Sequence, residues 1–317
     1  MDPLLESLIH RSSVRRFEPR PIPAEDLERI LRAARQAPTD ASAQLYTILR
    51  VRDPGLRQRL AHLSGDQRHV LDAAEFFVLL ADVHRLARLL EHRGERLGDW
   101  PRTALHFAVT DAAIAGAHLA VAAEALGYGI CWIGGLLNHA DEVVELLGLP
   151  HGVLPVSGLV VGVPAERPAP RPRLPQELVV HEDRYREYDP RELDAGYAAM
   201  APFGRKGDWL PLLKHYFAAG GVMEARDPAY GRAAARQGFV ADWPPAAARA
   251  FDEAGTPAGS LGEALEAVLD LGWRGVLFGR EGQEYTVWLE RETAAERGEG
   301  ARPGEALARA VLAARSS

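Results

Sequence analysis

An α+β sandwich is the fold this sequence predicts, and three observations predict it. Short β-rich apolar runs at residues 46–51, 76–81, 129–133 and 156–163 have the length and residue types of core strands. Segments of helical period lie between them. One of these, residues 103–126, is alanine-rich and apolar on nearly every side, as a long central helix would be.

Each element has its own signal. Residues 23–35 place Leu27, Ile30, Leu31 and Ala34 at helical spacing, with Glu25 and Asp26 in the first turn, and Pro38 closes the segment. Residues 56–63 and 140–147 read as further helices. Within 103–126 only Asp111 and Glu124 are charged, so the spacing predicts a helix buried all round. That helix is long enough to span a bilayer, but a central Asp alone costs roughly 2.5–3.5 kcal/mol there. With His106 and His118 also present, a helix packed in a dimer interface is the expectation, and no membrane partner. Residues 165–175 are rich in proline and arginine and predict an irregular arm.

Near residues 252–259 the composition shifts, dividing a main domain of residues 1–250 from a module of residues 256–317. Within the module, helical periodicity at 261–271, a hairpin of 275–278 with 285–290 around residues 279–282, and a helix at 303–314 predict an α-β-β-α pattern.

Composition narrows the function. The chain has 317 residues, 47% hydrophobic and 26% charged, enough to bury a substantial core. A formal net charge of −7 opposes nonspecific nucleic-acid binding. The single cysteine, Cys131, forms no intramolecular disulfide, and the N-terminus carries Asp2 and Glu6 without a basic segment before an apolar one. A cytoplasmic protein is expected. No GxSxG or GxxxxGK[ST] motif occurs, and the histidines do not pair with carboxylates at metal-ligand spacing. Serine-hydrolase, P-loop and metal chemistry are not expected.

Local cationic stretches on an acidic chain point instead to a small anion. Arg11, Ser12, Ser13 and Arg15 lie in one stretch, and Arg171 and Arg173 in another far along the chain. Guanidinium forks match phosphate oxygens in pairs, and serine hydroxyls add neutral donors. The two stretches have the makings of one phosphate clamp.

Between them come Ala37-Pro38-Thr39-Asp40-Ala41-Ser42-Ala43-Gln44, then Gly65-Asp66-Gln67-Arg68-His69, then Trp132-Ile133-Gly134-Gly135-Leu136. Arg226-Asp227-Pro228 and Gln237-Gly238-Phe239 follow. In this order and spacing, from about residue 4 to about residue 240, the chain resembles the nitroreductase superfamily. The nearest branch is that of the major oxygen-insensitive NADPH nitroreductases and flavin reductases.

The resemblance implies a three-layer α/β/α sandwich with a mixed central sheet, an obligate homodimer, and FMN as cofactor with NAD(P)H as co-substrate. It implies ping-pong hydride transfer to nitroaromatic, quinone or flavin acceptors. Arg11, Ser12, Ser13, Arg171 and Arg173 would hold the phosphate and ribityl chain, and Arg15 the ribityl chain or the N1/O2 edge. Thr39, Ser42 and Gln44 would lie in the loop over the flavin, Gln67 at the pyrimidine edge, and Ile133, Gly134 and Gly135 against the ring. Arg205, Lys206 and Arg226 are candidates for NADPH or substrate. The pattern departs from the family at Ser42 and Tyr46, where relatives carry Asn and Trp, and at Leu137, where they carry arginine. Cys131 reads as a buried small hydrophobe. The alternatives are a flavin-binding redox sensor or assembly protein with little turnover, acting through its C-terminal module, and a flavoenzyme of another branch.

Overall fold

The computed structural model describes residues 3–239, 275–281, 284–291 and 294–300, and the chain divides into two units, Met1–Ala233 and Ala234–Ser317. Local rules account for the elements of the first unit. After α1 (Pro3–Ile9), α2 (Ala24–Arg35) carries acids in its first turn and Arg32 and Arg35 in its last, as the helix dipole favours. It buries Leu27, Ile30 and Ala34 at helical spacing. From β1 (Tyr46–Arg50) the chain passes Asp53, whose carboxylate accepts the Leu56 amide at 2.6 Å and caps α3 (Pro54–Leu63). α4 (Arg68–Asp72), β2 (Glu75–Asp82), α5 (His84–His92), α6 (Pro101–Ala125), β3 (Gly129–Ile133), α7 (Ala140–Leu146) and β4 (Val153–Gly162) complete the sandwich.

The strands lie in the order β1-β2-β4-β3. Tyr46 pairs with Ala81, Phe77 with Leu159, and Cys131 with Val160. β2 is buried along its whole length, which is why residues 76–81 are an unbroken apolar run, while Glu75 and Asp82 at its ends are paired with Arg50 and Arg85. Phe76, Val78 and Leu80 join one core layer with Leu60, Val70, Ile133, Leu136 and Val143. Phe77 joins the opposite layer with Ile30, Leu119, Ala123 and Ile130. Helices therefore cover both faces of the sheet. On the α6 side the approach is close at Gly116, where a Cβ would collide with Leu79 and stand 2.7 Å from the Trp132 ring.

Beyond β4, residues 165–175 form no regular element. α8 (Pro190–Met200) starts in a capping box of Asp189 and Glu192, and α9 (Leu210–Phe217) and α10 (Val222–Arg236) follow. In the second unit β5 (Gly275–Glu281), β6 (Glu284–Arg291) and β7 (Ala294–Gly300) form an antiparallel sheet in that order.

Three expectations are corrected. The sheet is expected to be mixed, but among the described strands every paired neighbour is antiparallel. β2 and β3 do run the same way, yet β4 lies between them, so their shared direction never becomes a parallel pairing. α6 is not buried all round within the chain: Thr103, His106, Thr110, Ala113 and Ala117 are exposed along one stripe, because the sheet covers only one side of the helix. In the second unit the paired strands run through Gly279 and Glu281, and a third strand, β7, joins them. The helices expected at 261–271 and 303–314 lie outside the described residues.

Candidate functional site

The two cationic stretches are brought together by backbone pairing beside the edge strand β3. The Val14 amide donates to the Ile130 carbonyl at 2.9 Å, and Val14 packs so tightly over Gly129 that a Cβ there would stand 2.8 Å from it. Phe17 bridges Pro164, and the Ala165 amide donates to the Arg16 carbonyl at 2.9 Å. Glu166 closes the strap. Its Oε1 accepts the amides of Arg15 at 2.6 Å and Arg16 at 3.0 Å, and its Oε2 accepts Arg16 Nε at 2.8 Å. These donors, the Arg15 amide first, hold the Glu166 carboxyl below its ordinary range.

Within this strap the arginines crowd one another. Partial burial first, then the repulsion of Arg15, lowers the pKa of Arg171; Cys131 opposes the shift, and Arg173 and Arg11 add to it. The Arg171 guanidinium also lies 4.6 Å from the centroid of the Phe203 ring. Arg173 Nη1 donates to the carbonyls of Arg171 at 3.2 Å and Pro172 at 3.0 Å. Arg11 Nε meets Glu124 Oε1 at 3.3 Å, while its Nη2 is buried without a partner. A buried charged donor left unpaired is costly, so this atom marks where an anion fits. Ser12 and Ser13, in the same segment, are half-buried.

A second group forms around Gly135. Gln67 Nε2 donates to the Ser64 carbonyl at 2.7 Å, and Ser64 Oγ donates to Leu60 O at 2.7 Å. A Cβ on Gly135 would collide with Ser64 O and stand 2.6 Å from Gln67 Nε2, so the chain itself requires this glycine. Around Gly134 a Cβ would meet nothing, leaving open space for a flat ligand. The Ile133 side chain belongs to the core, so only its backbone is available to a ligand. His69 is buried, its Nε2 has no partner, and burial followed by the Arg15 charge lowers its pKa. Both effects favour the neutral imidazole.

Thr39, Ser42 and Gln44 lie in a loop held from two sides. Asp111, buried in α6, accepts the Asp40 amide through Oδ1 and the Leu45 amide through Oδ2, both at 2.9 Å. Arg85 donates to the Gln44 carbonyl and, at 2.8 Å, to the Tyr46 carbonyl. Between these anchors Ala41, Ser42 and Gln44 adopt φ of 45°, 58° and 54°, a left-handed conformation that side chains adopt at a cost.

The remaining candidates lie later in the chain. Arg226, in α10, contacts Met223 Sδ at 3.7 Å; its Nε is buried without a partner, and burial lowers its pKa. Lys206 is exposed in the turn Arg205–Gly207 with φ 58°. Burial pushes the Cys131 thiol up, against the pull of Arg15, Arg171 and Arg11, which suits a packing residue and not a nucleophile. No metal-binding cluster occurs among the described residues.

Several contributors had no assigned role in the sequence reading. Glu166 offered a signal as the one acid in the proline-arginine arm, and Asp111 and Glu124 as the two charges of an apolar helix. Arg85 and His69 offered none.

Together these features define a class: an α+β sandwich in which arginines from two distant segments meet beside an edge strand. The chain belongs to the nitroreductase family, whose family model matches residues 8–163. It is 37% identical to the FMN reductase (NADPH) of Bacillus subtilis over 58% of this chain and 75% of that protein. With the oxygen-insensitive NADPH nitroreductase of Salmonella typhimurium it shares 40% identity over 61% of this chain and 79% of that one. Among solved structures, it superposes on the NADPH:FMN oxidoreductase from Vibrio harveyi complexed with NAD+ with a TM-score of 0.62. The identity there is 31%, over 67% of this chain and 90% of that chain.

Proposed function

We propose that the chain is an FMN-dependent NAD(P)H oxidoreductase that works in two half-reactions and reduces nitroaromatic, quinone or flavin acceptors. The observation that carries the reading is the arginine cluster with the buried, unpartnered Nη2 of Arg11, which fits a phosphate. The names of the relatives, FMN reductase (NADPH) and oxygen-insensitive NADPH nitroreductase, support the same cofactor and reductant.

In this reading Arg11, Ser12, Ser13, Arg171 and Arg173 bind the phosphate and ribityl chain, and Arg15 supplies positive charge at the flavin edge. Gln67 meets the pyrimidine, with its amide held by Ser64. The backbone of Ile133, Gly134 and Gly135 lies against the ring, and the loop bearing Thr39, Ser42 and Gln44 covers it. Arg205, Lys206 and Arg226 serve the nicotinamide nucleotide or the acceptor. When bound, FMN would supply the hydride-accepting and electron-donating chemistry, while the protein contributes binding, orientation and charge.

A homodimer is part of the proposal. The exposed stripe of α6, with Ala113 and Ala117 among polar residues, and the exposed Leu4, Leu5, Leu8 and Ile9 of α1 are surfaces suited to a second copy. By length and composition α6 would suffice to cross a membrane, but it carries buried Asp111 and packs on the sheet. A lone buried thiol suits the reducing cytoplasm.

The visible absorption spectrum of the purified protein, repeated on the supernatant after heat denaturation, tests the reading. Released FMN at about one per chain is expected. A colourless protein that also fails to take up added FMN would overturn it. Anaerobic reduction by NADPH and NADH, compared, then tests the reductant.

A further inference from the structure

We propose that Glu124 is the positioning residue of the phosphate clamp: from the last turn of α6 it holds Arg11 by Nε and thereby presents the buried Nη2 to the flavin phosphate. The inference rests on the FMN reading above and extends it to a carboxylate, a group that would ordinarily repel a phosphate.

The geometry carries the assignment. A guanidinium is planar, with its donors in a fixed fork, so anchoring one N–H sets the direction of the rest. Glu124 anchors Nε at 3.3 Å, and the two side chains are 12% and 28% exposed. Glu124 is itself well placed to act as an anchor. Its neighbours Ala120 and Ala123 are buried in the layer between α2, α6 and the sheet, so the turn that carries it is rigid. Arg173, by contrast, is exposed and bonds only carbonyls of its own stretch.

Charge also favours the arrangement. Arg11, Arg15, Arg171 and Arg173 repel one another, and Glu124 offsets part of that repulsion where Arg11 is least solvated. Arg11 in turn stands between Glu124 and the incoming phosphate, so the carboxylate meets its cation before it meets the anion. Burial pushes the Glu124 carboxyl up while Arg11 pulls it back, as expected for a pair whose members need each other.

A titration of the full-length chain, stripped of flavin, with FMN and with riboflavin separates the roles, read by quenching of flavin fluorescence. Glu124→Ala is expected to weaken FMN binding about tenfold and riboflavin binding less than about twofold, since riboflavin has no phosphate. Glu124→Gln keeps an acceptor for Arg11 Nε and is expected to bind FMN within about threefold of the parent. Arg11→Ala leaves the Glu124 charge facing the phosphate unscreened, so Arg11→Ala with Glu124→Gln should bind FMN about tenfold more tightly than Arg11→Ala alone.

Equal losses for FMN and riboflavin in Glu124→Ala, or strict additivity in the double variant, would overturn the positioning role while leaving the clamp intact. A parent chain that binds riboflavin as tightly as FMN would overturn the clamp itself.

Discussion

Asp111 in the middle of α6 accepts the backbone amide of Leu45 at 2.9 Å, and through this bond the long helix sets where the loop ahead of β1 enters the sheet. The second oxygen accepts the Asp40 amide, so one buried carboxylate defines both ends of the strained segment. Its helical neighbours Ala108, Ala112 and Ala115 are small, which lets the loop backbone lie close to the helix.

Asp111→Ala leaves two amides without their acceptor and is expected to destabilise the fold by about 2–4 kcal/mol. Asp111→Asn, with one carbonyl oxygen, should recover about half of that. Denaturant unfolding measures the stability, and susceptibility to proteolysis between residues 39 and 45 reports the loop. A loop that stays protected in Asp111→Ala would show that Arg85 alone holds it.

Arg11→Ala and Arg173→Ala should each weaken FMN retention by roughly 2 kcal/mol, about thirtyfold in affinity. The loss should shrink as salt is raised, since part of it is the field of the cluster. Dialysis followed by the ratio of flavin to protein absorbance measures it. Full retention in both variants would remove the two residues from the phosphate site.

Glu166→Gln tests the strap by pH. The carboxyl is held below its ordinary value of 4.5 in the folded chain, so its contribution to stability is fully present above that value and is lost as pH falls through the lowered one. At pH 7 the variant should melt at a lower temperature than the parent, and the gap should close on acidification. A gap that is constant with pH would mean that the strap does not depend on the Glu166 charge.

Gly134→Ala and Gly135→Ala should behave differently although the residues are adjacent. An added Cβ at Gly135 meets Ser64 and Gln67, and is expected to cost about 1–3 kcal/mol of stability. At Gly134 it meets nothing in the chain, so melting should be unchanged while FMN retention falls. Equal flavin retention by Gly134→Ala and the parent would show that the open space there is not the ring's.

The sequence reading succeeded where neighbours decide and failed where distant residues do. The run ending in Ala81 reads as a strand because each of its side chains is buried, and α2 reads as a helix because Leu27, Ile30 and Ala34 recur at its period. Arg11, Arg171 and Arg173 were legible as residue types suited to an anion. Their counterparts Glu124 and Glu166 were not, because a carboxylate's role depends on which amide or guanidinium arrives from a segment 113 or 151 residues away. The exposed stripe of α6 was missed because its polar markers Thr103, His106 and Thr110 are spread among alanines that occur on both sides of the helix. β7 reads AAERGEG, with none of the alternation that marks a strand, and is defined only by pairing with β6.

The strap between Arg15 and Glu166 also sets an order of events in biosynthesis. Half of the arginines proposed to seat the phosphate emerge from the ribosome with the first turns of the chain, and the other half more than a hundred residues later. A nascent chain halted before the arm has its N-terminal segment paired to β3 through Val14 but lacks Glu166 and the second pair of arginines. On the proposed assignment, cofactor capture follows assembly of the sheet, and a shortened chain ending at residue 164, which keeps all of β1 to β4, should emerge without bound flavin.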